Sequence, residues 1–159
     1  MSFSFEVTGI EELTAKMAKL PDKGADVASL ALYEGAGIVA DAVSRAVHGI
    51  VTERFRYPKK MRLPSPEEKA ILINARKGVA RFKKSKDSVN TSVGMQNAGY
   101  AELAGKTKPI PLIANSINSG TSFMKKQPFF RKAVEQSAGA AGAAIEAGIE
   151  SRMDELNLD

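Results

Sequence analysis

The chain contains no cysteine and no tryptophan, a single histidine, His48, and few aromatics, three Tyr and seven Phe in 159 residues. Without cysteine, disulfides and thiolate metal sites are excluded, which fits a reducing compartment. Without a second histidine, a zinc site has no ligand set, and the carboxylates are dispersed along the chain instead of gathered in one loop, so no metal is expected. A nucleophile activated by an imidazole needs a histidine beside it. His48 falls at the end of a predicted helix, where an exposed or end-capping role is the ordinary one. Gly35-x-Gly37 lacks the third glycine and the leading strand of a dinucleotide fingerprint, and no Walker lysine follows a glycine-rich loop. No catalytic residues and no cofactor are expected, and the chain reads as a non-enzyme. No charged segment followed by an apolar run opens it, and no stretch of ~18 apolar residues is read anywhere in it, so a soluble protein without membrane contact or signal-peptide export is expected.

What the sequence has is charge, unevenly placed. The net charge of +5 conceals acidic ends and a basic middle. Residues 1–50 carry four cations against seven anions, and residues 134–159 carry one against six. Between them, residues 51–90 hold twelve Lys and Arg against four Asp and Glu, and residues 91–133 hold six against one. A basic middle of this kind faces a polyanion, meets the acidic ends of a second copy, or is a solvated loop.

A hydrophobic fraction of 43% over 159 residues fits one globular domain spanning 1–159. Phe3, Phe5 and Val7 alternate with polar residues as in a half-buried strand. Thr8 and Glu11 then form a capping box, and Ile10, Leu13, Met17 and Leu20 give the following helix an apolar face up to Pro21. A long helix is predicted from Asp22 to about Val47, with Val27, Leu30, Ala31, Ile38, Ala42 and Val43 inward and Asp26, Glu34, Asp41 and Arg45 outward. Gly35 and Gly37 weaken it and suggest close approach to a neighbour.

Residues 50–66, with three prolines and many cations, read as a projecting basic loop or arm. Ser65 is placed to cap a short helix with Pro66 at its first position and Glu67 and Glu68 in its first turn, ending near Arg76. Residues 79–82 and 88–95 look like two strands joined by a polar turn from Lys83 to Asp87. Residues 96–111 carry no clear period. Leu112 to Ser119 alternates as a strand does, with a helix as its rival. The last element, 128–156, is a helix opening on Pro128 in which Phe129, Ala133, Ala140, Ala144 and Ile149 share a face. The predicted fold class is α+β: a small antiparallel sheet against a long helix of the N-terminal half and a long C-terminal helix, with an extended basic loop.

Arg54, Arg56, Lys59, Lys60, Arg62, Lys83, Lys84 and Lys86 fall in the loop and the hairpin turn, where they can reach phosphates without a groove-reading helix. Phe55 and Tyr57 are interleaved with them, too few for a stacking platform. If DNA is the partner, this composition implies backbone contact without sequence readout.

One stretch stands apart: Gly120-Thr121 followed by Gln127-Pro128-Phe129-Phe130-Arg131, two aromatics directly behind a proline at a helix mouth. Proline suits the first helical position, where its missing N–H would have no partner anyway. Successive helical residues point ~100° apart, so one ring is expected in the core and the other at a neighbouring subunit, unless both pack within the monomer. Together with Gly9-Ile10-Glu11-Glu12-Leu13, Leu20-Pro21 and Gly35-Ala36-Gly37-Ile38-Val39, this order of features resembles the small tail-completion or neck proteins of long-tailed bacteriophages, over both ends and about two thirds of the chain. The centre departs from that family, with VTERFRYPKKMRLPSP where many members carry Thr-Gly-x-Leu.

The resemblance implies a structural virion protein at the head–tail junction or tail end, made in the host bacterial cytoplasm. It implies a homo-oligomeric ring, a hexamer by resemblance, around the DNA channel, with head-completion and tail-tube proteins as neighbours. Gly120, Thr121, Gln127, Pro128, Phe129, Phe130 and Arg131 would belong to a subunit or partner interface. The loop at 54–62 or the turn at 83–86 would line the lumen against genomic DNA. The alternatives are a nucleic-acid-binding protein without sequence specificity and an assembly factor absent from the mature particle.

Overall fold

The computed structural model describes residues 2–8, 24–54, 61–85, 88–95 and 98–157. The helix expected at 10–20 with its capping box lies outside them. The described elements run β1 (Ser2–Thr8), α1 (Gly24–His48), α2 (Pro66–Asn74), β2 (Gly78–Val79), β3 (Lys83–Lys84), β4 (Ser88–Gly94), β5 (Tyr100–Leu103), β6 (Lys106–Pro109), α3 (Ile110–Ser119) and α4 (Phe129–Asn157). The fold is α+β, with two small antiparallel sheets and two long helices. Packing divides the chain into two compact units, one formed by Ala40–Gly78 and Gly94–Gln136 with the first two residues, the other by Phe3–Val39, Val79–Val93 and Ser137–Asp159.

In the second unit the strands are ordered β1-β4-β2, with β3 also on β4. Ala28 and Leu32 of α1 and Val89 of β4 are fully buried together, with Ala25, Phe82 and Ile145 packed against them. This cluster joins α1 to the sheet and receives Ile145 of α4. Close helix contact depends on Gly35, since a Cβ there would stand 2.5 Å from Ile145 Cγ1 and 3.0 Å from the Ala141 carbonyl oxygen, whereas Gly37 has nothing within 4 Å.

α1 keeps Val27, Ala31, Ala42 and Val43 buried as predicted, but Leu30 is 54% exposed. Ala28, Leu32, Ala36 and Val39 are buried as well and Ile38 is half-buried, so the stripe is wider than the predicted one and leaves Leu30 out. By length and composition α1 is also the one described helix long and apolar enough to cross a membrane. On α4 Phe129 and Ala133 are buried as expected, and Phe130, Ser137, Ala141 and Gly148 are buried with them, while Ala140 is exposed and Ala144 and Ile149 are half-buried.

The expected hairpin over 79–95 is broken into β2 and β3, and Lys83 and Lys84 pair with Asn90 and Val89 within the strand instead of forming the turn. Beyond β3 the Ser85 N–H donates to the Ser88 carbonyl oxygen at 2.8 Å.

In the first unit, β5 and β6 form a hairpin in the register Tyr100↔Pro109 to Leu103↔Lys106. Its two-residue turn puts both Ala104 (φ 51°) and Gly105 (φ 72°) at positive φ, the requirement of a type I′ turn. The segment expected as a strand at 112–119 is the helix α3. Ile110, Ile113, Ala114 and Ile117 are buried at the i, i+3, i+4, i+7 spacing, and Pro109 and Pro111 sit at its start, where proline is tolerated. Alternation and helical period coincide over so short a segment. α2 packs on α3 and β5, and α3 on β6.

A clasped basic loop as the candidate functional site

The connection from α3 to α4 explains the proline and the two phenylalanines. Gly120 ends α3 at φ 77°, its N–H donating to the Ser116 carbonyl at 3.0 Å. A side chain there would meet Met124 and Lys126 at 3.1 Å, so the left-handed turn and the crowding both ask for glycine. Thr121 closes the next turn. Its N–H donates to the Met124 carbonyl, and its Oγ1 accepts from the Met124 N–H, both at 3.0 Å.

α4 begins at Phe129, one residue later than expected, and the Pro128 carbonyl accepts from Lys132 N–H at 3.1 Å. Asn118 Oδ1 accepts from the Phe130 N–H at 3.1 Å and satisfies one of the donors a helix start leaves open. Phe129 is 6% exposed and Phe130 5%. Both rings are therefore packed within the chain, and neither is offered to a neighbour as the one-in, one-out arrangement required. Burial of two rings at a helix mouth fixes the angle at which α4 leaves.

The same connection holds both ends of the basic loop. At the loop's start, the Gln127 side chain acts as a strand would: its Oε1 accepts from Val51 N–H at 2.9 Å and its Nε2 donates to the Val51 carbonyl at 2.8 Å. At its end, Arg62 N–H donates to the Phe123 carbonyl and Lys125 N–H to the Arg62 carbonyl, both at 2.9 Å, in a parallel bridge between Arg62 and Met124. Across the base, Glu53 N–H donates to the Pro64 carbonyl at 2.9 Å. Three backbone hydrogen bonds and the Gln127 amide thus close a loop of about ten residues, and closing a loop this short is entropically inexpensive.

The Arg62 guanidinium points inward. Its Nη1 and Nη2 donate to Glu68 Oε2 and Oε1 at 2.6 and 2.7 Å, a bidentate pair. Glu68 Oε2 also accepts from Ser65 N–H at 2.8 Å while Ser65 Oγ accepts from Glu68 N–H, completing the capping box of α2. Burial acts to raise the Glu68 carboxyl. The hydrogen bonds from Arg62 and Ser65, with the charges of Arg62 and Lys108, outweigh it and hold the carboxyl below its ordinary value. Nearby, Lys77 Nζ donates to the Leu72 and Ile73 carbonyls at the end of α2, and burial lowers its pKa.

The expected phosphate-contacting residues separate accordingly. Arg62 is consumed by Glu68 and is withdrawn from that set. Arg54 is exposed at the loop's start, and Lys83 and Lys84 are exposed on β3, where Lys84 Nζ lies 2.7 Å from Asp26 Oδ1. Arg56, Lys59, Lys60 and Lys86 lie outside the described residues. Of the expected interface residues, Gly120, Thr121, Gln127 and Pro128 build the clasp, while Arg131 is exposed and paired with Glu135 at 2.7 Å. His48 is exposed at the end of α1.

The Gln127–Val51 and Arg62–Glu68 contacts had no sequence signal beyond polar residue type, since their partners are set by tertiary structure. Among the described residues no group of His, Asp or Glu is arranged to hold a metal. A shallow depression of about 460 Å³ in the second unit is lined by Glu34, Ala144, Ala147, Gly148, Ser151, Arg152 and Glu155, and its Arg152 is already paired with Glu34 at 2.6 Å. Comparison with family models, with curated proteins and with solved structures found no match to this chain.

Proposed function

We propose that this chain is a structural virion protein of a tailed bacteriophage, assembling as a homo-oligomeric ring at the neck or tail end. The observation that carries the reading is the clasp: Gln127 of the Gln-Pro-Phe-Phe element holds the start of the basic loop, and Phe123 and Lys125, in the turn that Gly120 and Thr121 shape, hold its end. A ring component needs a cationic segment presented from a fixed base, toward either the next subunit or the DNA backbone in the channel. Hexameric symmetry, head-completion and tail-tube neighbours, and residence in the virion after synthesis in the bacterial cytoplasm are parts of the same proposal. The protein acts through its surfaces and not as an enzyme.

The exposed Arg54 and Lys83 support a second reading, a free nucleic-acid-binding protein without sequence specificity. Light scattering at low and high salt, paired with a duplex DNA titration, separates the two. A ring component forms a discrete multimer at low salt that falls apart at high salt. A monomer that binds duplex DNA, with log affinity falling by about 0.9 per phosphate contact per decade of salt, overturns the ring in favour of the second reading. An assembly factor would show the multimer but be missing from purified particles.

A further inference from the structure

Among the described residues, seven large apolar side chains are exposed, and two pairs of them stand side by side. Leu30 and Tyr33, 54% and 59% exposed, are three residues apart on α1 and so share a face. Met61 and Phe123, each 54% exposed, flank the parallel bridge of Arg62 and Met124. In a parallel pair, neighbours on the two strands point the same way and alternate along each strand. Met124 is 2% exposed and Arg62 turns in to Glu68, so Met61 and Phe123 lie together on the outer face, with Lys125 two positions on.

We propose that the Met61–Phe123 pair of one copy docks on the Leu30–Tyr33 pair of a second copy. The contact is heterologous, head to tail, and rests on the ring reading above. Charge selects this occupant. The first unit, which carries Met61 and Phe123, has fifteen Lys and Arg against six Asp and Glu; the second, which carries Leu30 and Tyr33, has eight against twelve. Exposed Lys125 and Lys126 border the first pair; Asp26 and Glu34 border the second, at one helical turn on either side of Leu30. Asp26 and Glu34 are engaged by Lys84 and Arg152, but Glu155 lines the same depression as Glu34 and Arg152, so this face keeps an excess of acid. Docking Met61–Phe123 on itself would instead bring Lys125 and Lys126 of two copies together, which opposite net charge avoids. Aromatic side chains at the centre of a charged rim are the usual anchors of a contact. A head-to-tail contact repeated by a rotation that divides the full turn closes into a ring, whereas one that does not grows into a filament.

The absence of cysteine makes the test direct. Tyr33→Cys and Phe123→Cys are prepared singly, checked for native helix content by circular dichroism, mixed at low salt and exposed to a mild oxidant. The mixture is expected to give a covalent dimer that neither variant gives alone, and the double variant a ladder ending at the subunit number of the ring. A cross-link in either single variant alone means a two-fold contact and overturns the proposal. No cross-link in the mixture, while light scattering shows a multimer, overturns this contact and leaves the ring standing. A protein that remains monomeric at the same concentration overturns both.

Discussion

Glu68 is 4% exposed, and its carboxyl is held below its ordinary value because Arg62 and the Ser65 N–H are both on it. Removing the cation leaves that carboxylate without its counter-charge, so Arg62→Ala is expected to cost about 3 kcal/mol, the lower end for a broken buried pair because Arg62 keeps some exposure. The pH dependence has a definite sign. A carboxyl held below its ordinary value binds fewer protons folded than unfolded, so its contribution is complete above the unfolded pKa of about 4.3 and is lost as pH falls through the folded one. Urea midpoints measured from pH 6 down to pH 3 should therefore fall more steeply in the wild type than in Glu68→Gln. Equal slopes would mean that Glu68 is not ionised in the folded chain. Ala104 offers the opposite sign. It occupies a positive φ of 51° that a Cβ disfavours, and Asn tolerates that region and suits the first position of a type I′ turn. Ala104→Asn should raise stability by about 0.5–1 kcal/mol, read as a higher urea midpoint at unchanged slope.

At the scale of elements, the sequence announced what depends on local spacing and concealed what depends on partners. The capping residue Ser65 with Pro66 behind it placed α2, and the long apolar periods of α1 and α4 placed both helices to within a few residues. Most of the predicted inward residues are buried, but Leu30 of α1 and Ala140 of α4 face outward, since alanines and glycines leave the apolar face weakly marked and the neighbour decides which of them it covers. α3 was the reverse case: ten residues bounded by prolines and Gly120 fit either period, and only the packing of Ile110, Ile113 and Ile117 decides for a helix. The clasp was the least legible, because a glutamine gives no sign of which backbone it will pair with 76 residues away. Gly35 and Gly37 make the point testable. Alanine is about 1 kcal/mol better than glycine in a helix interior, and Gly37 has open space, so Gly37→Ala should stabilise by that amount. At Gly35 the new methyl would meet Ile145 and the Ala141 carbonyl, and overpacking of about 1–3 kcal/mol outweighs the propensity gain. Denaturant unfolding of the two variants should shift in opposite directions.

For the whole molecule the governing quantity is the separation of charge between the two units, an excess of nine positive in one and four negative in the other. A uniformly basic protein repels its copies and is drawn to any polyanion; one divided in this way attracts its own kind in a fixed orientation. In the proposed ring, salt would act on assembly through screening, whose range shrinks from ~10 Å at 0.1 M to ~3 Å at 1 M. Lys125 and Lys126 are the sharpest place to intervene, since both are exposed and neither carries the clasp through its side chain. Lys125→Glu with Lys126→Glu lowers the charge of the first unit by four while leaving the Arg62 bridge and Gln127 intact. The double variant is expected to keep its fold by circular dichroism, to lose the low-salt multimer in light scattering, and to show a mass that no longer responds to salt. If its mass instead equals that of the wild type at every salt concentration, the attraction between copies does not pass through this face of the basic unit.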